Sequence, residues 1–199
     1  MKLNLLGRLG TNSFLRALGQ RYIEAPMLRK MAAKEKYPLC LEIGCGRGVG
    51  AEIIVKKFGA EKIIATDFDP DQIERAKRHL KNKFKDKVSL RVEDAMALDE
   101  QDNKFDAVFS FGVIHMTEDW KKTIKEILRV LKPHGELFFV EMLDGITRNP
   151  FLCRIFHYTG GGEFSAKELE DSLGKEGLKV TGFKQIGNLF ALGAARKKE

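Results

Sequence analysis

Short apolar runs and amphipathic stretches alternate along most of the chain, and their order predicts its elements. Leu39–Ile43 is apolar except at Glu42 and runs into Gly44-Cys45-Gly46-Arg47-Gly48, which predicts a strand entering a glycine-rich turn. Val49–Phe58 has a helical pattern. Lys62–Thr66 predicts a second strand, closed by Asp67. Asp69-Pro70 then supplies an N-cap followed by proline at the first helical position, opening a helix to about Phe84. Val88–Val92 and Phe105–Phe111 predict the third and fourth strands. Asp119–Leu131 puts Ile124, Ile127, Leu128 and Leu131 on one helical face, and Pro133-His134-Gly135 is expected to stop it. Leu137–Val140 predicts a fifth strand.

Short apolar strands separated by helices predict an α/β fold, with a largely parallel sheet covered on both faces. The end of the chain departs from that rhythm. Ser165-Ala166-Lys167-Glu168 is a capping box opening a helix to about Lys175. Leu178–Ile186 and Leu189–Arg196 then read as strands joined by Gly187-Asn188, an antiparallel hairpin. Leu143–Phe164 reads as a long irregular connection, a kind of segment often used in binding. Before Pro38 the chain reads as short amphipathic helices built on Leu3, Leu6 and Leu9, on Phe14, Leu15, Leu18 and Tyr22, and on Met27, Leu28 and Met31, punctuated by Gly7, Gly10 and Pro26.

Composition narrows the class. With 199 residues and 43% hydrophobic content the chain can bury a core, which excludes a disordered protein. Three Cys exclude a disulfide scaffold and show no metal-ligand spacing; Cys40 and Cys153 are expected in the core. No apolar run approaches the roughly 18 to 20 residues of a membrane span. Arg8 and Arg16 interrupt what would be the core of a secretory signal, so the expected location is cytoplasmic. The net charge of +7 is uneven. Residues 1–38 alone carry +6, from Lys2, Arg8, Arg16, Arg21, Arg29, Lys30, Lys34 and Lys36 against Glu24 and Glu35, while residues 39–162 are neutral. The expected division is therefore a basic helical arm or lid over 1–38 and an α/β domain over 39–199. A second basic run, Arg75 to Arg91, reads as a solvated helix face.

The glycine-rich turn carries the first chemical signal. Counted from Gly44, the third Gly comes one residue too early for the dinucleotide pattern G-x-G-x-x-G. Glu42 places a carboxylate at the turn, awkward for a pyrophosphate and suited to an ammonium group. Asp67 ends the second strand, where a carboxylate can accept from both ribose hydroxyls. Glu93-Asp94-Ala95 ends the third, where a carboxylate can meet an adenine amino group.

This set resembles the class I S-adenosylmethionine-dependent methyltransferases. The resemblance rests on E-x-G-x-G-x-G, the Asp after the second strand, Asp-Ala after the third, F-D-A-V-F opening the fourth and L-R-V-L-K-P-H-G-E-L before the fifth. It extends from about Leu39 to Arg196, and it is similar to the small-molecule branch that includes the quinone-biosynthesis enzymes. It implies a Rossmann-like seven-stranded sheet of order 3-2-1-4-5-7-6 with strand 7 antiparallel. It implies S-adenosylmethionine as cofactor and S-adenosylhomocysteine as product. Glu42, Gly44, Cys45, Gly46 and Gly48 would hold the methionine part, Asp67 the ribose, and Asp94 and Ala95 the adenine edge, with Phe68 a further cofactor contact. Ser110 and Phe111 would face the methionine portion.

Transfer from a sulfonium needs mainly proximity and a dry pocket, and a base only for a protonated acceptor. His115, after strand four, and Glu141, at the end of strand five, are the candidate bases; His157 and Tyr158 are candidate substrate contacts. The expected acceptor is small and in part lipophilic, with the basic arm a candidate for peripheral membrane contact. No aromatic set alternates with the arm's charges, and the N-P-P-Y type of motif is absent after strand four, so nucleic acid is not favoured. The other readings are an RNA or protein methyltransferase, a non-catalytic cofactor-binding module and a nicotinamide-dependent oxidoreductase.

Overall fold

The computed structural model describes residues 14–81, 83–156, 158 and 160–199; the expected helix on Leu3, Leu6 and Leu9 and the candidate His157 lie outside them. Seven strands form one sheet: β1 (Leu39–Ile43), β2 (Lys62–Asp67), β3 (Val88–Val92), β4 (Phe105–Phe111), β5 (Leu131–Met142), β6 (Leu178–Ile186) and β7 (Phe190–Lys197). Their order is β3-β2-β1-β4-β5-β7-β6, with β7 antiparallel to both neighbours and the other pairs parallel. This is the order the resemblance implied.

The near-continuous apolar strands have a simple cause. Successive side chains leave a strand on opposite faces, and both faces here are covered. Cys40, Phe109 and Phe138 enter one core, and their neighbours Leu41, Val108 and Phe139 enter the other. Phe109 packs against Phe58 and Phe138, with ring centroids 4.8 and 4.9 Å apart.

The helices begin where their caps predict. Asp69 accepts from the Asp71 amide at 3.1 Å to start α4 (Pro70–Leu80), and Asp119 from Lys122 at 2.9 Å to start α5 (Trp120–Val130). Both arms of the Ser165–Glu168 capping box open α8 (Ala166–Lys175). α3 (Val49–Lys57) follows the glycine turn.

Three expectations need correction. α4 stops at Leu80 rather than about Phe84, because Lys81 turns to a positive φ of 42°. Pro133-His134-Gly135 does not follow a helix into a loop; it sits in a β5 longer than expected, where the register with β4 slips between Phe105 and Ala107. An irregularity of that kind tolerates a residue with no amide hydrogen. Leu143–Phe164 contains α6 (Asp144–Thr147) and α7 (Pro150–Phe156). The overlooked signal was Asn149-Pro150: Asn149 Oδ1 accepts from the amides of Phe151 (3.0 Å) and Leu152 (3.2 Å).

The arm runs through α1 (Phe14–Gly19), a π-helical turn (Gln20–Glu24) and α2 (Ala25–Met31). Pro26, which has no amide hydrogen, follows the wide turn, where the Ala25 amide reaches back to Gln20 O. Ala25 and Leu28 are fully buried, and Arg21 pairs with Glu52 of α3, so the arm is fastened to the domain beneath it.

Candidate active site

A cavity of about 810 Å³ opens beyond the carboxyl ends of β1, β2, β4 and β5, where ligands lie in open α/β sheets. Strand-end turns line it, together with residues of the arm (Leu15, Arg16, Gln20, Glu24), Ile155 and Phe156 of α7 and Phe190 of β7.

The turn after β1 is shaped by contacts that a Cβ would prevent. At Gly44 (φ 60°) a Cβ would stand 2.2 Å from Val113 Cγ2. Gly48 is not in the cavity wall; its Cβ would press on Leu80 and Ala76 at 3.0–3.3 Å, so it lets α3 approach α4. Gly50, overlooked in the sequence, leaves the space that Glu42 Oε1 occupies. Cys45 is buried in the wall. Burial, then the Glu42 and Asp67 carboxylates, push its thiol well up, which keeps it protonated and unreactive.

Asp67 joins the turns. Its Oδ2 accepts from the Gly46 amide at 2.8 Å and its Oδ1 from the Asp69 amide at 2.9 Å. Phe68 stands half-exposed beside it in the wall. After β3, Asp94 Oδ1 accepts from the Met96 amide at 2.8 Å, which presents Asp94, Ala95 and Met96 to the cavity. Phe111 lines the wall, but Ser110 stands behind it, fully buried.

Glu42 tests the fit of the cofactor. Its Oε2 is buried with no hydrogen-bond partner among the described residues, and burial, then the nearby Asp67 carboxylate, hold its carboxyl well above the usual range. A buried acceptor without a donor is a group left for a ligand, and a positive charge beside it reverses the penalty. The amino end of a methionine moiety carries that charge.

His115 and Glu141 meet on the other flank. Glu141, from β5, accepts from Ser110 Oγ of β4 at 2.6 Å and from the His115 amide at 3.1 Å, and its Oε2 lies 2.6 Å from His115 Nδ1. The Glu141 carboxylate, which already accepts from Ser110 and the His115 amide, favours the tautomer with the imidazole proton on Nδ1. The Met142 amide donates to the same nitrogen at 3.3 Å and favours the other tautomer. Nε2 is buried and has no hydrogen-bond partner among the described residues. Tyr158 is not in the wall; its ring lies 6.1 Å from that of His115, and burial, then Glu163, push its hydroxyl up to about 12. An arm or lid is expected from the sequence, but none of its residues was named as part of the site. Arg16, Gln20 and Glu24 recur every four residues, a spacing that marks one helical face and was open to reading.

The family model for the methyltransferase domain matches residues 41–139, from β1 into β5. The chain belongs to the class I S-adenosylmethionine-dependent methyltransferases. The cofactor of this family is S-adenosylmethionine, and the product is S-adenosylhomocysteine. The sterol 24-C-methyltransferase of Aspergillus fumigatus is 32% identical over 166 residues, covering 81% of this methyltransferase chain and 44% of the relative. The demethylmenaquinone methyltransferase of Lactococcus lactis is 33% identical over 102 residues, covering 51% of the chain and 40% of the relative. The chain thus spans less than half the length of either. A chain from the Haloferax volcanii complex of a methyltransferase with its activator superposes over 100% of both chains with a TM-score of 0.81 at 15% identity, a likeness of fold.

Proposed function

We propose that this methyltransferase transfers a methyl group to a small, partly lipophilic acceptor, with His115 as general base and Glu141 as its positioning residue. The observation that carries the reading is the mixed lining of the cavity. The strand ends contribute the polar Glu42, Asp67 and Asp94, the arm, α7 and β7 contribute the apolar Leu15, Ile155, Phe156 and Phe190, and His115 lines the same cavity. The volume lies within the roughly 300–1,000 Å³ of small-molecule sites. The sterol and demethylmenaquinone in the relatives' names support a lipophilic acceptor.

The bound cofactor supplies a sulfonium-activated methyl group. Glu42, Asp67 and Asp94 hold and orient it. The arm and α7 exclude water from the acceptor side. His115 Nε2 accepts the proton of an acceptor hydroxyl or amine, and Glu141, steadied by Ser110, keeps Nδ1 protonated and the ring in place.

Exposed Phe14, Leu15, Tyr22 and Ile23 on the arm, and Phe151 and Ile155 on α7, extend the apolar surface beyond the cavity. With the arm's basic charge they support a peripheral contact with an anionic lipid surface, through which the acceptor reaches the site. The test is transfer of labelled methyl from S-adenosylmethionine into a cell extract. Label recovered in the organic-soluble small-molecule fraction is the expected result. Label confined to precipitated RNA or protein would replace this reading with the macromolecular one. Sedimentation with anionic vesicles tests the membrane contact.

A further inference from the structure

The charge of the cavity wall is lopsided. Among the described residues eight carboxylates line it against two guanidiniums, in a chain of net charge +7. Glu42, Asp67 and Asp94 belong to the cofactor half and Glu141 to His115. Glu24 has no such task. It comes from the arm and lines the same cavity; its Oε1 pairs with Arg16 Nη1 at 2.7 Å, and its Oε2 is buried with no hydrogen-bond partner among the described residues. Gln20, one turn earlier, is buried in the same wall. Burial outweighs Arg16 and holds the Glu24 carboxyl above its usual range, so this group gains from a donor or a positive charge and loses from another negative one.

We infer that Glu24 recognises the polar head of the acceptor by accepting its hydrogen bond, and that the carboxylate-rich wall selects hydroxyl or amine acceptors and turns away those carrying a carboxylate or phosphate. The apolar body of such a molecule lies against Leu15 and Phe156. This names the substrate class of the proposed methyltransferase and rests on that proposal. Specificity here is as much repulsion as attraction, because an anion beside Glu24 leaves two like charges in a poorly solvated wall.

The test uses the full chain saturated with S-adenosylhomocysteine, titrated by calorimetry with three probes that share a para-butylphenyl body: para-butylphenol, para-butylbenzylamine and para-butylbenzoate. The phenol and the amine are expected to bind at least about tenfold more tightly than the benzoate. Glu24→Gln is expected to remove most of that preference while S-adenosylhomocysteine affinity stays unchanged. Arg16→Gln, which strips Glu24 of its cation, is expected to strengthen binding of the amine, an independent reading should Glu24→Gln melt early. Benzoate binding as well as the others, a preference untouched by both substitutions, or no binding of any probe would overturn the inference. Failure of S-adenosylhomocysteine itself to bind would remove the methyltransferase reading along with it.

Discussion

The two halves of the cavity are built on different principles. The strand-end half is made of turns whose backbone is tied to the sheet: the Cys45 amide bonds Thr66 O at 2.8 Å, and Asp67 clasps two amides. The arm half is made of short helices with large apolar side chains left exposed, including Phe14, Leu15 and Phe151. A ligand shared by a whole family suits a rigid cradle. An acceptor peculiar to one enzyme suits short elements that vary without disturbing the sheet.

The largest effect separating the halves is expected at His115. His115→Gln should lower turnover by roughly 10²- to 10⁴-fold, while calorimetry finds S-adenosylhomocysteine binding intact. A parallel loss of cofactor binding would show that the halves are not separable. Next comes Asp67→Ala, which should weaken S-adenosylhomocysteine by roughly 10- to 100-fold, as loss of hydrogen bonds to a charged group does; a melting curve checks that the turn still folds.

Glu42→Gln acts in the opposite sense on the ligand-free protein. The folded carboxyl titrates above its ordinary value of 4.5, so its stabilising form is the protonated one. That contribution is complete below about pH 4.5 and is lost as pH rises through the folded value. The variant should therefore melt higher than the parent near pH 8, by roughly 2–4 °C for each kcal/mol relieved, with the gap closing in acid. Cofactor binding should fall, because the amino group loses its partner. A variant that melts lower at pH 8 would show that Glu42 is already satisfied. The smallest effect belongs to the arm half: Phe156→Ala should raise the acceptor's KM about fivefold, for about 1 kcal/mol of lost apolar contact, leaving S-adenosylhomocysteine affinity unchanged. An equal loss at both ligands would place Phe156 in the cofactor half.

Legibility in the sequence followed the range of the interactions. Asp69-Pro70, Ser165–Glu168 and Gly187-Asn188 act within a few residues and could be placed directly. Asn149-Pro150 is just as local and was passed over because the run it opens, Pro150–Phe156, is too short to show a helical period. The slip at Pro133-His134-Gly135 depends on what β4 offers across the sheet, which no neighbouring residue reveals.

The same distinction runs through the site. Alternating apolar runs, the glycines after β1 and the carboxylates at the strand ends are properties of one strand and one turn each, so spacing was enough to predict an α/β fold with carboxylates at the strand ends, while the strand order and the cofactor roles came with the resemblance to the methyltransferase family. The joining of Ser110, His115 and Glu141 needs β4 beside β5, and the place of Glu24 needs the arm folded back over the strand ends. Those residues lie far apart along the chain. Each is a plain polar residue until packing removes water from it and leaves Nε2 of His115 and Oε2 of Glu24 without partners, and that desolvation is a property of the assembled core.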